Sequence, residues 1–465
     1  MQGGQNKKRC PELAEATFCP PYDTNNFMMI NRKYWHCLLC ACILCASIGW
    51  HQAVLAVSLE EAVRQTIANH PRQLAAQASQ TAAKHRTRQA KADYLPSVDV
   101  QLGYGEEYSD NATTRVHEAE PTATLVRQEA SFTLSQILFD GFHTRHETAK
   151  QTAKWQATVN AARDTANTLA LEAADAYLEV LTRRGLLELA KDNLVAHQKI
   201  AEQIHSLTAS GAGQRADLLQ AESRLALATA NLMQAEGNVR DSETAYLRAV
   251  GTPASALVEP DTVPLAQQLP PTLEAAAHRL DTHPRLQAAR LELQAAQEEF
   301  ARTGAAFWPK FKLELHAAHN DNLDGSSGEN IDHSAMVRMQ YNLYRGGGDQ
   351  AKRREAAALI ESARQEMENT RRTLQESLHK AWNHWQTQRK RVEPLKKHSD
   401  ISLSVVQAYR QQFHLGRRGL LDVLDSEREW HAARAALLSA ERAEQLGVLR
   451  LLASQGDLLA RLGVQ

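Results

Sequence analysis

The residues best placed for chemistry in this 465-residue sequence are charged side chains beside two glycine-containing turns. Asp422 and Asp425 stand three apart, so they share one face of a helix. Arg418 precedes Asp422 by four residues, and Asp217 stands at the matching place in the first half of the chain. Two carboxylates so placed have two readings. At a helix N-terminus they complement the helix dipole. Repeated around a symmetric pore, they form rings of negative charge that select ions. Spacing alone leaves both open, and neither involves catalysis. His143 and His146 also share a face, but no carboxylate–histidine cluster surrounds them, so no metal site is expected. Neither a phosphate-binding loop nor a nucleophile elbow is present. The sequence therefore gives no sign of an enzyme or of a cofactor.

Composition narrows the class further. A formal net charge of -1 gives no electrostatic reason for a nucleic-acid partner. The cluster Lys352, Arg353 and Arg354 opens a mixed-charge helix and reads as a solvated face. Aromatics make up 6%, while Ala, Leu, Gln, Glu and Arg abound, a usage that favours long helices. Residues 31 to 56 read as an export signal. Asn31-Arg32-Lys33 is basic, Trp35 to Trp50 is apolar, and Ala53-Val54-Leu55-Ala56 suits a signal peptidase. The six cysteines, at 10, 19, 37, 40, 42 and 45, all precede that point, so the mature chain is expected to lack thiols and disulfides. Leu39-Cys40-Ala41-Cys42 faintly resembles a lipoprotein cleavage box, but the helical pattern starts well beyond it. Met28 or Met29 is an alternative start to Met1.

The elements that position the charged residues are written twice. Asn69-His70-Pro71-Arg72 is echoed by Thr282-His283-Pro284-Arg285. Leu138-Phe139-Asp140-Gly141 matches Leu343-Tyr344-Arg345-Gly346 at an offset of 205, as Ala216-Asp217-Leu218-Leu219 matches Leu421-Asp422-Val423-Leu424. An unchanged offset across so long a segment points to a rigid rod docked at both ends. A helix from His143 to about Leu207 would run roughly 98 Å at about 1.5 Å per residue, which implies coiled-coil-like packing. Turns follow at Gly211 and Gly213 and again at Gly416 and Gly419, giving helical hairpins over about 143-250 and 349-462.

Between the rods the period changes to two. Val98, Val100, Leu102 and Tyr104 alternate with polar residues, as do Phe132 and Leu134, then Phe311, Leu313 and Leu315, then Val337, Met339, Tyr341 and Leu343. Four strands are expected, at about 96-106, 130-140, 309-318 and 334-344. Soluble hairpins packed on helices would show the same alternation. Export, matched places in a repeat and polar intervening segments favour a transmembrane barrel. Four strands cannot close one, so copies of the chain must then share it.

Together, Leu138-Phe139-Asp140-Gly141-Phe142, Tyr344-Arg345-Gly346-Gly347-Gly348 and Leu420-Leu421-Asp422-Val423-Leu424-Asp425 resemble the TolC family of outer-membrane channels over about Ser58 to Leu462. The resemblance implies a mainly α protein with a membrane β-barrel. In a homotrimer, twelve shared strands would sit in outer-membrane lipid and the coiled-coil helices would form a periplasmic α-barrel. It divides the chain into an upstream segment and signal peptide, 1-56, and repeats at 57-271 and 272-465, with 251-271 as an equatorial linker. Asp140, Gly141, Gly346 and Gly347 become the barrel-to-helix corners, and the glycine turns become the periplasmic tip. Asp422 and Asp425 become the acidic ring of the pore constriction, and Asp217 and Arg418 a latch holding the tip closed. Phe413 stands where a tyrosine often joins that latch. The expected partners are a periplasmic adaptor (membrane fusion) protein and an inner-membrane ABC or proton-driven transporter. The Leu-Phe-Asp-Gly corner resembles the type I secretion branch more than its alternative, the ducts of small-molecule or drug efflux pumps.

Overall fold

The computed structural model describes residues 56–464 except 113 and 117–121. The expected export signal, apart from its last residue Ala56, and all six cysteines lie outside the described residues. Two short helices, α1 (Leu59–Asn69) and α2 (Pro71–Ala92), lead into β1 (Ser97–Ser109) and β2 (Ala123–Phe139). The long hairpin α3 (His143–Ala209) and α4 (Arg215–Val250) follows. The second half repeats the plan. After α5 (Val263–Gln267) come α6 (Leu273–His278) and α7 (Pro284–Thr303), then β3 (Lys310–Asp321), β4 (Glu329–Gln340), α8 (Gly348–His414), α9 (Leu420–Ser454) and α10 (Leu458–Arg461).

Equivalent elements begin with equivalent chemistry. His70 and His283 each accept a 3.2 Å hydrogen bond at Nδ1 from the backbone two residues on, and each precedes a proline at the first helical position. Both α3 and α8 are 67 residues long, about 100 Å at 1.5 Å per residue. Pro394 lies inside α8 without ending it. The core gathers at mid-length, where Ala170, Ala173, Tyr177 and Leu178 of α3 meet Leu378 and Trp382 of α8 and Leu449 and Leu452 of α9. Tyr177 is fully buried there, its hydroxyl 2.8 Å from the carbonyl of Val57 and 2.5 Å from that of Val258. Burial pushes its pKa up to about 12. The 251-271 segment is thereby pinned to the first rod.

The four strands form one antiparallel sheet in chain order, β1-β2-β3-β4. Its register decides what the alternation means, because residues directly opposite each other share a face. Val98, Leu134, Leu315 and Ala335 lie in one row, and Val100, Phe132 and Ala317 in the next of the same face. Asp99, Thr133, His316 and Ser334 form a row of the opposite face. The sheet thus has an apolar face and a mainly polar one, and the apolar side chains Val98, Val100 and Leu102 are exposed.

The strand ends differ from the alternating runs. β2 begins at Ala123 rather than near 130, because it pairs with the whole of β1 as far as Ser109. β4 stops at Gln340, opposite Lys310, and Tyr341 to Tyr344 are not strand. The neighbour of Lys310 is Pro309, which has no N–H to extend the ladder.

Candidate functional site at the helical tips

Each long hairpin turns through the same backbone. Gly211 and Gly416, 205 residues apart, have φ of +78° and +67°, a region that favours glycine. One residue on, Ala212 N–H donates to the Leu207 carbonyl and Arg417 N–H to that of Gln412, both at 2.9 Å. Gly213 is required for space, since a Cβ there would lie 2.9 Å from the Thr208 nitrogen. Gly419 caps α9 in an extended conformation, with no contact that a side chain would disturb.

These turns are held level by a shared apolar cluster. Ile200 and Ile204 of α3, Ala221 of α4, and Leu420, Val423 and Leu424 of α9 pack together, with Phe413 and Tyr409 of α8 against them. Phe413 thus packs, as its ring allows, and offers no hydroxyl.

Arg418 is gripped within its own chain. Its guanidinium lies 4.0 Å above the Tyr409 ring, donates to Gln412 Oε1 at 3.1 Å and reaches Asp422 at 3.5 Å. The side chain of Asp217, in the first turn of α4, makes no hydrogen bond or ion pair among the described residues. The structure therefore does not bring Arg418 and Asp217 together within one chain.

Asp422 and Asp425 sit in the first turns of α9, both partly exposed. Each carboxylate has a cationic neighbour. Asp425 lies 3.5 Å from Arg224 of α4 and 3.4 Å from Arg428 one turn on. The acidic pair is thus offset by three arginines, which sequence spacing along α9 did not reveal in the case of Arg224.

Behind the acidic turn lies a set of polar groups that the sequence reading missed, with Glu427 and His197 buried and His431 half-buried. Glu427 is 2% exposed and bonds Arg410 of α8 at 2.5 Å, and burial pushes its carboxyl pKa up. His197 of α3 and His431 of α9 are held below the usual histidine range, first by burial and then by Arg224 and Arg434 respectively. His197 Nδ1 and His431 Nε2 have no hydrogen-bond partner among the described residues. The only signal was the presence of histidine at positions of helical apolar period.

At the other end of the rods, Asp140 accepts from both the amide (2.8 Å) and hydroxyl (2.6 Å) of Thr144, fastening the start of α3. Gly141 and Phe142 both have positive φ, as do Gly346 and Gly347 at the 205 offset. A Cβ on Gly141 would strike the Ala305 carbonyl at 2.8 Å and Trp308, whereas Gly346 and Gly347 face open space. Phe139, Phe142, Trp308 and Phe311 cluster at the first corner, with centroids 5.4–6.4 Å from Phe139. No group of three or more potential metal ligands occurs among the described residues.

A family model described as outer membrane efflux protein matches residues 62–252 and 276–457, one segment in each half of the duplication. The chain belongs to that family. Its similarity to curated members is broad. It is 28% identical over 342 residues to the outer membrane efflux protein BepC of Brucella suis, covering 71% of this chain and 73% of BepC. It is 25% identical over 415 residues to the outer membrane protein TolC of Vibrio cholerae, covering 87% and 92%. To the alkaline protease secretion protein AprF of Pseudomonas aeruginosa it is 24% identical over 399 residues, covering 83% and 82%. Among solved structures it is similar to CusC, with a TM-score of 0.75, 18% identity and coverage of 85% and 91%. It is also similar to VceC of Vibrio cholerae, with a TM-score of 0.74, 16% identity and coverage of 86% and 96%. As a family member the chain is an outer-membrane channel protein of the TolC-like fold, with helices that reach into the periplasm.

Proposed function

We propose that the protein is a trimeric duct for type I secretion of an exported protein, working with a periplasmic adaptor and an inner-membrane transporter. The observation that carries the duct reading is the four-stranded sheet. It exposes an apolar face and, among the described residues, leaves β1 and β4 with unpaired edges. Unpaired edges are too costly in lipid, so three copies closing a twelve-stranded barrel satisfy them. The tip turns then form the periplasmic entrance, with Asp422 and Asp425 at the constriction and Arg418 and Asp217 holding neighbouring helices.

The likeness to AprF and to the proteases secretion protein PrtF of Dickeya chrysanthemi, 24% identical over 397 residues, supports the secretion branch. Small-molecule efflux is the second reading, favoured by the likeness to BepC. Deletion in the native host separates the two. Loss of one protein from the culture medium with unchanged resistance to dyes and detergents supports secretion. Unchanged medium with increased sensitivity replaces it with efflux. Light scattering in detergent, corrected for bound detergent, tests the trimer, and a monomer overturns the shared barrel.

A further inference from the structure

We propose that α4 of one copy packs along α8 of the next through a heptad seam that closes on an Asp241–Lys390 ion pair. This rests on the trimeric reading and assigns the register of its helical wall. Within one chain, α4 and α8 are the two flanks of the tip-side half, separated by α3 and α9, on which they pack. Ala221, Ala228, Val239, Ser242 and Tyr246 bury the α4 face that meets α3. The opposite face carries a second seam at the same spacing. Leu219, Ser223, Ala226, Ala230, Met233 and Gly237 recur at intervals of four and three and carry no charge. Leu219 is 57% and Met233 64% exposed, and Ala226 and Ala230 are exposed with them. A helix with two apolar seams on opposite sides is built to be packed on both sides.

The outer face of α8 has the complementary pattern. Its buried side runs through Trp385, Gln388, Ser399, Ser402 and Val406. Lys390, Lys397, Ile401, Ser404 and Ala408 lie on the far side, all exposed. Because the shared tip cluster sets the two turns level, distance from the tip gives the match. Ala230 is 15 residues beyond Arg215, and Ile401 is 13 before His414. At about 1.5 Å per residue those levels agree to about 3 Å. The branched Ile401 therefore meets the small side chains Ala226 and Ala230, and the flexible Met233 lies level with the stem of Lys397. Asp241 is 26 residues beyond Arg215 and Lys390 is 24 before His414. Both are exposed, and neither has an ion-pair partner among the described residues. The charged pair lies where the uncharged α4 seam ends, which fixes the stagger between copies much as polar positions fix register in coiled coils.

Cysteine pairs read this register directly, since the chain has no cysteine after position 45. Ala230→Cys with Ile401→Cys, and separately Asp241→Cys with Lys390→Cys, should each give covalent trimers on oxidation, seen on non-reducing gels. The single-cysteine chains should not. As a second measurement, Asp241→Lys should lower the temperature at which trimers dissociate, and adding Lys390→Asp should restore it. Trimers by light scattering with neither cross-link nor rescue would overturn the seam and leave the trimeric duct standing. A monomeric wild-type chain would overturn both.

Discussion

Arg418 shows how one cation can be held by several weak contacts. An exposed ion pair contributes about 0–1 kcal/mol and a cation–π contact about 0.5–2 kcal/mol. The Tyr409 ring at 4.0 Å thus matters at least as much as Asp422 at 3.5 Å. Arg418→Ala, with Asp217→Ala as an additional change, is expected to raise single-channel conductance in planar bilayers while trimers still form. Unchanged conductance in a folded trimer would remove both residues from the latch. The proposed acidic ring gives a prediction of opposite kind. Asp422→Ala with Asp425→Ala should reduce cation preference and blocking by multivalent cations. Arg428 is 66% exposed and lies 3.4 Å from Asp425, so Arg428→Ala should raise cation preference by leaving that carboxylate less compensated. Reversal potentials under a salt gradient measure both, and a shift of equal sign in the two variants would contradict this assignment.

At the scale of the helices, the depressed pKa values of buried His197 and half-buried His431 should couple the α3–α9 packing to pH. His197 and His431 have pKa values depressed by burial, so the packed form prefers them neutral. Above the ordinary histidine value of about 6.5 they are neutral packed or unpacked, and the packing is at full strength. As pH falls below that value the unpacked form takes up protons first, and stability declines toward the depressed values. A hydrogen bond to the Leu189 backbone and then Asp192 oppose this for His431 by favouring its cation, while Arg434 and, at His197, Arg224 add to it. Glu427 acts in the other direction at lower pH, because its pKa is raised. The melting temperature of wild type should therefore drop more between pH 7.5 and 5.5 than that of His197→Gln with His431→Gln. Equal drops would assign the pH response to other groups. This coupling was not legible in the sequence, and the reason is geometric. The 205-residue offset itself was legible, because a repeated glycine and a fixed rod length leave marks in a single sequence. Arg224 beside Asp425, or His197 near His431, depends on the rotation and stagger of different helices, which spacing along either helix does not record. The extent of β2 was hidden for a related reason: its first residues are set by pairing with β1, not by their own alternation.

At the scale of the whole molecule, the two faces of the sheet must meet different solvents if the chain closes a barrel with its copies. Phe132 and Thr133 are neighbours near the middle of β2, yet they belong to opposite faces. Phe132 stands opposite Val100 and Ala317, and Thr133 opposite Asp99 and His316, whose Nδ1 is 3.0 Å from the Thr133 hydroxyl. Placing a guanidinium among lipid tails at the midplane of such a barrel costs about 2–4 kcal/mol, whereas a lumen position leaves it in water. Phe132→Arg should therefore cut the yield of folded trimer in lipid vesicles severely, and Thr133→Arg should leave it nearly unchanged while lowering cation conductance. Arg has similar bulk at both sites, so the contrast isolates the surrounding medium from general crowding of the strand. A sheet whose apolar face met water in place of lipid would instead tolerate charge at Phe132 as readily as at Thr133. Equal insertion of the two variants would mean that the apolar row does not face lipid, and the barrel would have to be closed in another sense.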